Sequence, residues 1–395
     1  MRPADRRRHG AGLEGVTMIK GFERKFWRPA FLFGVLALFL FVSLTGTSVQ
    51  AQGVKNMPPP PPPWKAKPTP TPKPPEDEKL EVVRVTSNLV MVPVSVTDRT
   101  GNAVQGLTKT DFRLIEDGQA QEISDIGDPE QVPLAIAVLF DVSSSVSQKG
   151  FFVSQQNAAA AFLKLVMKPS DKAAIFTITD KPTMVQPLAS AEASAAKVLQ
   201  IPAATTPVPT AFYDTVSAAA KYLMESAPSN HRRVIVVLSD GDDNFSEAIR
   251  ELSIAEARAQ QNGQTTFAGT RAGLQEKHRR AVQGVQQAVQ KADVIFYSVN
   301  PGGPSVKLNQ ISMRAELGME SIAETTGGTA FVPESDKDLD RVFRQVAAEL
   351  RGQYLLQYYG NSEAPPNQFR KIEVQVPARG DVRVRARQGY YPKAK

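Results

Sequence analysis

Four segments of this chain are apolar almost without interruption: PLAIAVLFD (Pro133 to Asp141), KAAIFTIT (Lys172 to Thr179), RVIVVLSD (Arg233 to Asp240) and ADVIFYSV (Ala292 to Val299). A strand that is apolar on both faces cannot stand half in water, so it belongs in a parallel sheet covered by helices on each side. The intervening stretches supply those helices, over Phe151 to Val166, Thr210 to Met224, Ile249 to Lys291 and Leu339 to Leu350. In the last of these, Leu339, Val342, Phe343, Val346 and Leu350 fall on one stripe of an amphipathic helix. The fold class that follows is α/β, a doubly wound and mostly parallel sheet. The Gln- and Ala-rich piece 251–291 is long for a simple crossover and reads as an inserted or extended helix pair broken near Asn262-Gly263.

Around this core, spanning 131–352, the periodicity is two. Residues 80–130 read as a small antiparallel β module with a hairpin turn at Asp117-Gly118, and Pro93 there suits an edge or a bulge. A C-terminal β segment occupies 353–395. In it Arg383, Arg385 and Arg387 share one face, read as a solvated sheet surface, and Arg379-Gly380-Asp381 reads as a turn.

The N-terminal end is different in kind. Within residues 1–51 the basic Arg24, Lys25 and Arg28 precede 22 uncharged residues, Ala30 to Ala51, ending on a small residue. That is an export signal, or an uncleaved anchor, and either places the remainder outside the cytoplasm. Residues 52–79 follow as a linker. Eleven of the 30 prolines lie between Met57 and Pro75, which makes an extended polyproline tether of roughly 60 Å at about 3.1 Å per residue.

Composition removes several functions. No cysteine is present, so disulfides, thiolate metal sites and cysteine nucleophiles are excluded. With three histidines, one of them His9 in the leader, little remains for a zinc enzyme. The net charge is +7, but residues 1–28 hold +5 of it. The near-balance of the rest argues against a nucleic-acid surface.

The first buried strand ends in LFDVSSSVS, which sets Asp141, Ser143 and Ser145 at the carboxyl end of a parallel strand, the edge where open α/β sheets bind ligands. Alone, serines before a helix are N-caps. Thr210 before a second helix and Asp240 at the end of another buried strand change that reading. Two carboxylates and three hydroxyls from three loops then converge. Hard oxygen donors of this kind suit Mg²⁺, Mn²⁺ or Ca²⁺, and two negative charges roughly balance one divalent ion.

Asp141-x-Ser143-x-Ser145, Thr210 and Asp240 together resemble the metal-ion-dependent adhesion site (MIDAS) of a von Willebrand factor type A (VWA) domain. The wider pattern of export signal, GLTKTDFRLIEDGQAQEI, A-like core and closing VRVRARQGYY resembles the exported VWFA-related proteins of acidobacteria. The resemblance implies that Ser143, Ser145 and Thr210 touch the metal directly, that Asp141 and Asp240 act partly through water, and that a partner's carboxylate fills the open position. It also implies that ligation moves the last helix, Asp336 to Arg351. The chain departs from the family at Pro207-Val208-Pro209, where many A domains place glycine before the threonine.

Rival readings are weaker. A halo-acid-type phosphatase needs a second carboxylate where this chain has Ser143. The run Asp240 to Asn244 with Glu251 mimics a calcium loop, but Phe245 occupies the place of the required glycine. Asp242, Asp243 and Asn244 then read as a solvated turn adding negative potential. No GxxxxGK[ST], GxSxG or HExxH occurs, so no enzyme is expected. Two functions stand: a metal-dependent module that holds a protein or peptide partner outside the cytoplasm, and an envelope scaffold whose metal site is vestigial or merely stabilising.

Overall fold

The computed structural model describes residues 88–143, 152–250, 267–304, 310–360 and 367–392, together with 258, 261–263 and 365. The leader, the proline tether, Ser145 and Glu251 lie outside the described residues. Among the described residues no helix is long and apolar enough to cross a membrane.

In chain order the strands and helices are β1 (Leu89–Thr97), β2 (Arg113–Glu116), β3 (Gln119–Gln121), β4 (Asp125–Gly127), β5 (Leu134–Asp141), α1 (Phe152–Val166), β6 (Lys172–Ile178), β7 (Pro182–Ala189), α2 (Ala191–Leu199), α3 (Phe212–Ser226) and β8 (Arg232–Leu238). There follow α4 (Glu247–Arg250), α5 (Phe267–Lys291), β9 (Val294–Val299), α6 (Gln310–Thr326), β10 (Ala330–Phe331), α7 (Leu339–Gly352), β11 (Tyr354–Tyr359), β12 (Arg370–Gln375), β13 (Arg383–Ala386) and β14 (Gly389–Tyr390).

The four apolar segments form the middle of a six-stranded sheet of order β10-β9-β8-β5-β6-β7, parallel except at β7. Alternation then divides each strand between two cores. Ile136, Val138 and Phe140 of β5 pack with α1, α2 and α7. Ala135, Ala137 and Leu139 face α3, α5 and α6. Beyond β5 the chain crosses to β6 on one side, whereas beyond β8 it crosses to β9 on the other. The crevice outside the carboxyl ends of β5 and β8 is therefore the topological switch point, where such sheets take ligands.

The two period-two stretches are not separate. β1 lies between β11 and β13, and β2 pairs with β12, so the start and the end of the described chain build one pair of four-stranded sheets with its own core. Asp117 and Gly118 both have positive φ, 47° and 84°, the requirement of a two-residue type I′ hairpin. Pro93 sits in a central strand, not an edge strand. Pairing with β13 begins only at Val94, so the N–H that proline lacks has no ladder partner to lose.

The expected solvated arginine face is corrected. Arg385 reaches Glu349 of α7 at 2.8 Å with both side chains largely buried. Arg387 pairs with Asp293 and donates to the Met91 carbonyl at 2.7 Å. Both hold the β sheets against the α/β layer, and only Arg383 is exposed. Arg379 and Asp381 pair with each other across the turn at 2.9 Å.

Candidate metal centre

Asp141 is the last residue of β5, and its side chain is fully buried. A carboxylate in that position must be held by donors or it cannot stay charged. Ser143 N–H donates to Asp141 Oδ1 at 2.8 Å, and Ser239 Oγ–H donates to Asp141 Oδ2 at 2.6 Å. Ser239 Oγ in turn accepts from Gly241 N–H at 2.9 Å. The turn after β8, which carries Asp240, is thereby tied to the end of β5. Gly241 adopts φ 76°, a left-handed conformation that glycine takes without strain and side-chain-bearing residues rarely do.

Thr210 is tied to the same turn from the other direction. Its N–H donates to Asn244 Oδ1 at 2.9 Å, and its carbonyl accepts from the N–H groups of Asn244 and Phe245, both at 3.1 Å. The rigid Pro207-Val208-Pro209 approach thus ends in a backbone clamped on both of its polar groups. Asp243 completes the lacing. Its carboxylate accepts from Tyr213 N–H at 2.8 Å, from Ser246 N–H at 2.9 Å and from Ser246 Oγ–H at 2.5 Å. Asp243 is buried, so the expectation of a solvated turn fails for it. The reason lies in α3, whose own N-cap, Ala211, offers no side-chain acceptor. The free N–H groups of that helix need a partner from elsewhere, and Asp243 and Ser246 supply it. In the sequence Thr210, one residue before that N-cap, stands where a capping side chain is expected, so nothing local signals the need.

Of the five residues expected in the centre, Asp141, Ser143, Thr210 and Asp240 come from three loops joined by these hydrogen bonds at the switch point. Ser145 lies outside the described residues. Burial, and next the negative charge of Asp240, push the Asp141 carboxyl up to about 6. Burial, and next Asp240, also raise Asp242, which faces Arg314 of α6 at 3.5 Å. Among the described residues no three His, Asp or Glu side chains gather as a metal cluster. The set here has two carboxylates and otherwise hydroxyls. A pocket that penalises buried negative charge fits a divalent cation, which would reverse the penalty, and each carboxylate retains lone pairs beyond those its donors use.

Residues 136–242 match the model of the von Willebrand factor type A domain family. The chain carries a VWA domain, and its sheet has the VWA-like α/β fold. No curated protein matches the sequence. Similar solved structures include an aerotolerance-related membrane protein from Bacteroides fragilis, at 13% identity over 55% of this chain and 98% of that one, with a TM-score of 0.37. BatB from Bacteroides thetaiotaomicron is 11% identical over 54% of this chain and 97% of its own, with a TM-score of 0.34. Proximal thread matrix protein 1 from the mussel byssus, solved with a zinc-occupied MIDAS motif, is 14% identical over 58% of this chain, with a TM-score of 0.38. This chain spans 49% of the mussel protein's length.

Proposed function

We propose that this chain is an exported binding module that holds a protein or peptide partner through a divalent cation, Mg²⁺, Ca²⁺ or Mn²⁺, at Asp141, Ser143, Ser145, Thr210 and Asp240. The observation that carries the reading is the buried Asp141 carboxylate, pushed up by burial and by Asp240 and tied through Ser239 to the turn that also clamps Thr210. Asp141 and Asp240 supply the negative charge; Ser143, Ser145 and Thr210 supply neutral oxygens. With only two charged donors, a bound cation keeps enough Lewis acidity to accept a carboxylate from the partner. Ser239 and Asn244 orient the donors, and the role is one of binding and not of catalysis. The export segment expected in residues 1–51, and the proline linker after it, would present the domain beyond the membrane.

Asp240→Ala and Thr210→Ala should each abolish calorimetric Mg²⁺ or Ca²⁺ binding while leaving the thermal unfolding midpoint nearly unchanged. Unchanged metal affinity in both variants rejects the centre. A pull-down from envelope extract in Mg²⁺, Ca²⁺ and EDTA separates the binding module from a scaffold, because a scaffold keeps its partner in EDTA.

A further inference from the structure

At the opposite edge of the central sheet, where β8 and β9 begin, lies a cavity of about 660 Å³. It opens between the β sheets and the α/β layer, with Met91 and Tyr390 on one side and Arg232, Arg233, Lys291 and Asp293 on the other. Sites for small organic molecules are of this size, about 300–1,000 Å³.

The charge on its wall is one-sided. Arg232 and Arg233 are 5% and 6% exposed. Arg232 donates to the carbonyls of Leu350 and Pro129 and to the Gln353 amide oxygen. Arg233 donates to the carbonyls of Leu223 and Ala292. Among the described residues neither forms an ion pair. Burial pushes Arg232 down to about 10, which leaves it charged at neutral pH. Lys291 holds its ammonium 5.5 Å from the centre of the Tyr391 ring. Arg387 also lines the cavity, and its one acidic partner, Asp293, is about half exposed. Asp293 is the single carboxylate on a wall with four cations, and Val294, Ile295 and the two tyrosines make much of the remainder apolar.

The open stretch of β1 beside the cavity is a poor template for an added strand. Pro93 has no N–H, and the Met91 carbonyl is already taken by Arg387. A small ligand therefore suits the space better than a peptide.

We propose that this cavity is a second ligand site, taking a small organic acid whose carboxylate displaces Asp293 from Arg387 beside Lys291 and whose apolar body lies against Tyr390 and Val294. The full-length chain, in EDTA so that no divalent ion contributes, is titrated calorimetrically with 2-naphthoate and with octanoate, and with the neutral amide of each. At least one acid should saturate and bind about tenfold or more tightly than its amide, a difference of about 1.4 kcal/mol. Lys291→Glu should weaken that acid about tenfold. Asp293→Asn should strengthen it, because Arg387 loses its competitor; Asn is also at home at this residue's φ of 54°. Neither change should move amide binding. Equal affinity for acid and amide, no saturation of either acid by millimolar concentration, or acid affinity indifferent to both substitutions each overturns the proposal. Which acid binds decides whether the body is aryl or acyl.

Discussion

Thr210 is preceded by Pro209, not by a flexible glycine, and the loop that follows β8 holds both its N–H and its C=O. Asn244 makes two of those three hydrogen bonds. Asn244→Ala should therefore weaken calorimetric Mg²⁺ affinity about tenfold or more, since an unpaired N–H costs about 1–3 kcal/mol and lets the hydroxyl drift. Asn244→Asp, which keeps the acceptor, should recover most of it. The sequence makes Asp141, Thr210 and Asp240 visible because they end buried strands or open helices. Asp243 and Asn244 are hidden, since their partners are backbone groups some thirty residues earlier, which no spacing rule reports. A second residue-scale expectation concerns His278, buried against Tyr213 with its Nδ1 3.0 Å from the phenol oxygen. Burial, and next the Arg314 charge, lower its pKa to about 4, against about 6.5 in an unfolded chain. As pH falls from about 6.5 to 4 the unfolded chain binds the proton first, so stability is full above that window and declines through it. Urea unfolding at pH 7 and pH 5 should show this loss in the parent and a smaller one in His278→Gln.

Elements were legible in proportion to how completely they are buried. β5, β6, β8 and β9 announce themselves because both faces of each are apolar, and α7 does so through its single stripe. β7 escapes notice: an edge strand, PTMVQPLA, begun by one proline and interrupted by another, is half-buried except at the exposed Met184 and Pro187 and has no clean alternation. α2 is only nine residues, five of them Ala or Ser, and α6 has a weak apolar stripe. Close packing between elements also depends on residues that look neutral in sequence. A Cβ on Gly328, in the turn from α6 to β10, would fall on the Phe296 carbonyl of β9, whereas one on Gly284 of α5 meets nothing within 4 Å. Gly328→Ala should cost more than about 2 kcal/mol, because backbone on both sides must move. Gly284→Ala should stabilise by about 0.5–1 kcal/mol through helix propensity. Thermal melts of the pair read both, and a Gly328→Ala protein as stable as its parent would contradict the packing.

At the scale of the molecule, the β sheets are a composite of the first and last described segments, with the α/β layer running between them in sequence. Periodicity could find strands at both ends of the chain but not join them, because pairing at a separation of more than two hundred residues leaves no local trace. Removing residues 353–395 takes from β1 both its neighbours, β11 and β13, and from β2 its partner β12. It also strips Arg232 of Gln353 and Glu349 of Arg385. Such a truncated chain should become protease-sensitive over 89–127 and melt at lower temperature than the parent, by limited proteolysis and calorimetry. Intact 89–127 after digestion would mean that the first β segment stands without the last.

The register of β1 against β11 fixes how the protein answers a mechanical pull. Leu89 stands opposite Tyr359 and Val94 opposite Tyr354, while β11 continues directly from α7 at its Tyr354 end. Tension applied between the Leu89 end of β1 and α7 grips the two strands at opposite ends. The rungs of the ladder then share the load and must give way together, where a grip at the same end would part them one by one. A pull entering at the Leu89 end of β1 is thus met by the whole β1–β11 ladder at once.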